Sequence, residues 1–528
     1  MKTTAVTVMV LFSAALVSAQ SQRWEYTYDG PAGQWDQAWQ VRCGPDSGVY
    51  VCGDGQATAI PLTFEMTLAA LTMNGDERWF YRYTGPGSRL GQAYSLALTP
   101  DRSIVVAGAT WDIVTANDFA VLGVSDSGTH RWAYRIADSG VGLARAVVSD
   151  HDGNSFACGT THDYERFTVA SLTPAGAERW LWPDFDLPGE AMAIALDSGG
   201  LVYAAGYLTQ RDSTQNFSVW QLALPDSAQG VILATRSRDT AIAVSVGIDG
   251  NVYAAGHMDM DSTGPDIAVV SIDTGPISLR WLYTYDYAGG MDHAQAMLCG
   301  NDGNIYVAGY GFLPESSGVA FIVLSVTADG DLRWAFADTG AHAAALNVAA
   351  GLAQDAVGNI YACGQLAGSE STRMDAAVIS LTPQGAERWR YLYAGPDTVG
   401  DNFGSIALGP DGNLYACGTT GDPPNADWLV VSLTESGVAI GLRTPQAELS
   451  AQAPTFFHDR IAVRVSPALA RSLDVRLYDA AGRIVARQTL TPKGGYVTFG
   501  GRELARLAPG CYFLDLGSGL SRLKLMKP

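Results

Sequence analysis

Short apolar runs punctuate the chain from end to end, and none keeps a helical period over any length. One pattern recurs: three or four apolar or small residues closing on a glycine. It ends at Gly53, Gly108, Gly159, Gly206, Gly256, Gly309, Gly364 and Gly418, with spacings of 55, 51, 47, 50, 53, 55 and 54 residues. Around each copy lie three further strand-like segments. In the second unit the four are 93–98, 104–107, 119–124 and 131–135, named a, b, c and d. Asp-Gly-Asn turns separate a from b at Asp152, Asp249, Asp302 and Asp411, and Asn74-Gly75, Ser127-Gly128 and Asp329-Gly330 separate c from d. Such turns supply the positive φ that a tight hairpin needs. Four short antiparallel strands repeating every 50 residues or so predict the blades of a β-propeller rather than a solenoid or a helical array.

Eight b strands predict eight blades. A second marker, Arg-Trp, opens strand d at Trp79, Trp132, Trp180, Trp281, Trp334 and Trp389, and once more at Trp24, before any blade. The eighth unit has a, b and c but no Arg-Trp after them. The economical solution is that residues 23–28 complete blade eight and close the ring, which removes the exposed strand edges. The fourth unit lacks Arg-Trp in its d segment near 231–235, so seven blades with one degenerate unit is the alternative.

Composition sharpens the picture at the ends. Charged residues are only 16% and Gly is 59 of 528, which suits a turn-rich all-β protein. The net charge of −20 disfavours nucleic acid as a partner. Residues 448–528 carry 12 Lys/Arg against 6 Asp/Glu, while no lysine occurs between Lys2 and Lys493. That break marks a domain boundary, and the Pro, Ser and Gln of 441–458 suit a linker. The expected organisation is a signal peptide over 1–19, a propeller over 20–440, this linker, and a small β-sandwich over 459–528. Lys2, the apolar run to Val17 and the small residues Ser18-Ala19 make the secretory signal, and the run is too short to span a membrane. No later stretch reaches membrane-spanning length, so no transmembrane segment is expected in the mature chain, which is read as a monomer.

Two resemblances follow from particular stretches. Asp302-Gly-Asn-Ile-Tyr-Val-Ala-Gly309, leading on to Thr327-Ala-Asp-Gly-Asp-Leu-Arg-Trp334, resembles the β-propeller repeats of secreted bacterial proteins, and the likeness extends over roughly 23–435. Leu473–Val485, Leu507–Leu514 and the terminal Leu523–Pro528 resemble the C-terminal sorting domain of type IX secretion in Bacteroidetes-like bacteria, with Ala453-Pro454 where family members often carry Asn-Pro. The second resemblance implies a type IX-like secretion machinery as partner, passage through the outer membrane, often with removal of this domain, and a location outside the cell or on its surface. An ordinary C-terminal β-sandwich is the alternative.

The candidate chemistry is sparse. Cys52, Cys158, Cys363 and Cys417 precede the strand-b glycine where other blades have alanine, which marks a small core site. Cys43 and Cys52 flank one hairpin; a disulfide between them is the alternative to two free thiols. The recurrent Trp is expected to fill the wedge between blades. Seventeen residues before each strand-b glycine stand Asp36, Gly91, Gly142, Gly189 (beside Glu190), Asp239, Asp292, Asn347 and Asp401; two residues on, seven of the eight blades have Ala. The acids Asp36, Glu190, Asp239, Asp292 and Asp401 are thereby expected near one mouth of the channel, as bonds to loop backbone rather than as a cation site. The longer b–c and d–a loops share one face, where ligand contacts concentrate. That face would carry Trp35, Trp111, Tyr207, Tyr310 and Phe312 with Asp112, Asp163, Asp259, Asp261 and Asp427, a mixture suited to sugars. Asp259-Met-Asp261-Ser-Thr-Gly264 faintly resembles a calcium loop but has Val270 where the last acid belongs, so an acidic surface loop is expected. No zincin, P-loop or nucleophile-elbow motif is present. The expectation is a non-catalytic extracellular scaffold for glycan or protein, without metal or cofactor. The alternative is a polysaccharide hydrolase or lyase using loop-face carboxylates.

Overall fold

The structure is a computed structural model; it describes residues 21–434, apart from short loop stretches, and parts of 460–527. The expected signal peptide and linker lie outside the described residues. The chain divides into two compact units, Met1–Gly437 and Val438–Pro528.

The first unit is a ring of eight four-stranded antiparallel blades. Blade 1 runs Asp36–Cys43, Gly48–Thr58, Thr63–Thr72 and Glu77–Tyr83 as a, b, c and d. The inner strands of the next blades are Ser88–Leu98, Leu143–Ser149, Gly189–Leu196, Thr240–Val246, Asp292–Cys299, Val348–Gln354 and Asn402–Leu408. Each touches the inner strand on either side, and blade 8 touches blade 1. Strands Asn402–Leu408, Leu414–Thr420 and Asp427–Leu433 are joined at their outer edge by Gln22–Tyr28. Trp24 pairs with Ser432 and Tyr28 with Trp428, so the chain's first strand closes the ring as expected. The ring has eight blades and not seven.

The repeated residues hold these blades for identifiable reasons. Strand b is buried on both faces, and its apolar residues pack against both neighbouring blades. The small residue on each inner strand (Ala38, Ala93, Ala144, Ala191, Ala241, Ala294 and Ala349, with Phe403 in blade 8) is at most 1% exposed. Directly after it every inner strand bulges by one residue. The bulge presses the preceding carbonyl toward strand b. A Cβ on Gly53 would run into Gln37 O, and one on Gly206 into Glu190 O, which is why glycine recurs there.

Arg-Trp on strand d works in two directions. The indole reaches the next blade. Trp24 donates to Met73 O at 2.9 Å, Trp79 to Asp126 O at 2.8 Å, Trp281 to Ala328 O at 2.9 Å and Trp334 to Pro383 O at 3.0 Å. Each ring lies over the turn glycine there, such as Gly75 or Gly330. The arginine mainly braces its own blade: Arg333 donates to Ser325 Oγ at 2.9 Å and Tyr306 Oη at 3.2 Å, and Tyr306 donates to Asp302 at 2.7 Å, while a second Arg333 nitrogen reaches Pro383 O of the next blade at 3.2 Å. Arg23 and Arg388 repeat the bonds to serine and tyrosine in blades 8 and 7.

Blade 4 lacks Arg-Trp on its d strand, Ala228–Leu233, yet forms. Gln221 on its strand c makes both contacts, donating to Tyr203 Oη at 3.0 Å and to Thr274 O of blade 5 at 3.5 Å. One amide thereby stands in for a guanidinium and an indole.

The C-terminal unit has a two-stranded sheet of Arg460–Arg464 and Tyr496–Gly500. Its other sheet, of four strands, has the order Ile484–Leu490, Leu473–Asp479, Gly510–Asp515, Leu523–Lys527. Ile461, Val475, Leu477 and Leu514 are fully buried. No helix among the described residues is long and apolar enough to cross a membrane.

Candidate functional site

The residue before each inner-strand bulge pair and the residue after each strand-b glycine sit opposite one another, close to the ring axis. The pairs include Gln37 with Asp54, Glu190 with Tyr207, Thr240 with His257 and His293 with Tyr310. Bulge residues project beside them: Trp39, Tyr94 and Arg145 in blades 1, 2 and 3, all partly exposed. These side chains form a continuous arc across four blades. Trp39 Nε1 donates to Asp54 Oδ1, and its ring meets Tyr94 edge-on at 5.7 Å. Tyr94 donates to Gln92 Oε1 at 2.7 Å. Arg145 lies over the Tyr94 ring at 5.3 Å and donates from Nε to Glu190 Oε1 at 2.5 Å. Tyr207 donates to Glu190 Oε2 at 3.3 Å. Burial pushes the Asp54 carboxyl up to about 7.

A second arc follows in blades 5 and 6. The His257 and His293 rings are 4.4 Å apart, His293 stacks on Tyr310 at 5.2 Å, and Tyr310 meets Phe312 at 6.0 Å. Burial, and secondarily His293, lowers His257 to about 4, so the pair is neutral at physiological pH.

The five expected aromatics do not share one platform. Trp35 is 37% exposed in the d–a loop before blade 1, and Trp111 is half-buried at the end of strand b of blade 2. Tyr207 belongs to the first arc; Tyr310 and Phe312 belong to the second. The five acids separate likewise. Asp36, Asp239, Asp292 and Asp401 are at most 3% exposed and grip backbone. Asp36 accepts from Gly30 N at 2.5 Å and Gln56 N at 2.7 Å, Asp239 from Thr235 N and Asp259 N at 2.9 Å, and Asp401 from Gly395 N at 2.7 Å. Asn347 uses its amide the same way, accepting from Ala367 N at 2.8 Å. Glu190, one residue out of phase with them, turns to Arg145 instead. Asp163 accepts from Val141 N at 2.7 Å; Asp261 lies outside the described residues.

Trp39, Tyr94 and Arg145 escaped the sequence reading because a bulge inverts the alternation on which it relied. A regular strand would have turned each to the opposite face. The signal that marks them is the register of the strand-b glycine against the inner-strand alanine.

A groove of about 440 Å³ opens between blades 3 and 4 on the short-turn face, lined by Asp152, Phe156, Arg179, Trp180, Leu201 and Leu222 among others. Phe156 occupies the strand-b position where Tyr253, Tyr306 and Tyr415 tie their turn aspartates. Without the hydroxyl that tie is missing.

The six cysteines of the described propeller are free thiols. Cys43 faces Val49 and Cys52 faces Gln40, three register steps apart, so the disulfide alternative is corrected by the pairing. Burial raises the Cys43 thiol to about 12.

No known family profile matches the chain, and no curated protein matches it. Solved structures do resemble it. The WD40 domain of Neurospora crassa Pan2 is 11% identical, with 66% of this chain and 90% of that one covered and a TM-score of 0.39. The β-propeller domain of the Trilobed protease from Pyrococcus furiosus is 10% identical over 72% and 96%, at 0.36. PorZ, a bacterial surface component of the type IX secretion system of Porphyromonas gingivalis, is 10% identical over 93% and 81%, at 0.25.

Proposed function

We propose that the protein is a secreted or surface-displayed binding propeller, exported by type IX-like machinery that reads its C-terminal unit. It holds an extracellular glycan or protein without transforming it. The observation that carries this reading is the arc of Trp39, Tyr94, Arg145, Glu190 and Tyr207. It offers aromatic faces for stacking and a fixed ion pair for hydrogen bonds on a rigid frame, the usual equipment of a pre-formed site. Export rests on the resemblance of residues 473–528 to sorting domains and on the N-terminal signal. The acids Asp36, Asp239 and Asp401 are spent on backbone amides, which speaks against a hydrolase or lyase built on them.

The test is binding of the purified full chain to arrayed polysaccharides and outer-surface proteins, with Tyr94→Ala and Trp111→Ala as paired variants. Loss of binding in Tyr94→Ala alone supports the axial arc. Loss in Trp111→Ala alone moves the site to the loop face. Release of reducing ends or unsaturated sugars replaces binding by catalysis.

A further inference from the structure

One acidic position recurs near the start of strand c, opposite the second residue after the strand-b glycine. It is Glu65, Asp118, Asp266, Asp375 and Asp427 in blades 1, 2, 5, 7 and 8. In blades 1 and 2 the protein supplies the countercharge. Arg82 lies 3.4 Å from Glu65, and Arg135 is ion-paired to Asp118. Both arginines occupy one register on strand d, opposite Thr67 and Ala120. In blades 5 and 8 that register holds Thr284 and Thr27.

The next inner strand changes in step. After the arginine blades it carries Gly91 and Gly142; after the threonine blades it carries Asp292 and Asp36. A third acid, Asp286 or Asp29, directly follows strand d there. The result is two equivalent trios, Asp266–Asp286–Asp292 and Asp29–Asp36–Asp427, each able to bring one ligand atom per residue within 4.8 Å of the others. In blades 5 and 8, where threonine replaces the arginine, two more carboxylates join the strand-c acid; blade 7 has Leu392 at that register and Ala394 directly after strand d, and forms no such trio among the described residues.

The blade 5–6 trio has a further feature. Asp292 is fully buried; its Oδ2 accepts from Tyr287 N at 2.5 Å, while its Oδ1 has no hydrogen-bond partner. Both oxygens of Asp36 in the other trio are taken by amides. A buried, unpartnered carboxylate oxygen beside two other carboxylates is costly unless a cation sits among them. Asp286 is exposed and leaves the approach from solvent open.

We propose that Asp266, Asp286 and Asp292 bind a divalent cation of the calcium class, which clamps blade 5 to blade 6. The ligand set is oxygen only, from three carboxylates, which suits a hard cation such as calcium better than zinc, whose sites favour His and Cys. The trio Asp29–Asp36–Asp427 at the closing seam has no such open oxygen on Asp36, and no site is assigned to it. The sequence alone had pointed away from a metal, because the three acids come from two blades.

The full chain, stripped with EGTA, is titrated with terbium, read by luminescence sensitised through Tyr285 and Tyr287, and then competed with calcium. Melting is compared in calcium chloride and in EGTA. Expected is a calcium-dependent rise in melting temperature and terbium displaced by calcium. Asp286→Asn, which alters an exposed side chain, weakens the site at least tenfold and melts like the parent in EGTA. Thr284→Arg supplies the missing guanidinium, so this variant loses the site and its melting no longer responds to EGTA. Equal melting of the parent in calcium and EGTA without terbium signal overturns the proposal. So does ion binding that Asp286→Asn and Thr284→Arg leave unchanged.

Discussion

The rivet between blades can be tested at Trp281 and Gly330. The indole of Trp281, on strand d of blade 5, donates to Ala328 O of blade 6 at 2.9 Å and lies over Gly330, whose φ is +93°. A Cβ built on Gly330 would stand 2.8 Å from Trp281 Cδ2, well inside contact distance. Gly330→Ala therefore carries two separable costs. The left-handed backbone costs about 1–2 kcal/mol for any residue with a Cβ, and the clash costs about 1–3 kcal/mol more as overpacking. Trp281→Ala costs about 3 kcal/mol through the lost ring and hydrogen bond. It also opens the space that the alanine methyl needs. The double variant should then be less destabilised than the sum of the singles by about 1–3 kcal/mol, the clash component alone. The assay is a double-mutant cycle by thermal and denaturant unfolding of the four proteins. Strict additivity refutes the reasoning, because it would mean that the indole does not lie on the turn. A repeat at Trp24 and Gly75 asks the same of the closing seam between blades 8 and 1.

Asp54→Asn should flatten one pH dependence. The Asp54 carboxyl is raised to about 7 in the folded chain, so its contribution is fully present below about pH 4 and is lost as pH rises through 7. At pH 8.5 the variant should be more stable than the parent by on the order of 2–4 kcal/mol, and at pH 4 equal to it; unfolding across that range checks both ends. Deleting residues 21–28 should open blade 8, expose its strand-c edge and shift the protein to aggregates, read by light scattering, whereas Trp24→Phe should keep a monomer with reduced melting temperature. The six described propeller thiols should resist Ellman's reagent in the native protein and react on unfolding, because five are held above their ordinary pKa by burial to about 11 or more and Cys417 is raised well above it. A fast-reacting native thiol would contradict the packing of its strand.

Much of the architecture is local and was therefore readable along the chain. A strand-b glycine, a turn Asp-Gly-Asn and an Arg-Trp each act within a hairpin or on the next blade. Their period counts the blades, and the unpaired Arg-Trp at Trp24 names the strand that closes the ring. The anchoring role of Asp36, Asp239 and Asp401 was also legible, since an acid at a strand start answers to nearby amides. Three features were not. The bulge after each inner-strand alanine shifts Trp39, Tyr94 and Arg145 by one step, and period-two reading puts them on the wrong face. Gln221 replaces two residue types by reaching in two directions, which no motif records. The acidic trio at blades 5 and 6 joins Asp266 and Asp286 to Asp292 across a blade boundary. Sequence determined the repeat because hydrogen-bonded hairpins are short-range objects. Only the closed ring decided which side chains of different blades meet, because that depends on twist, register and the angle between sheets.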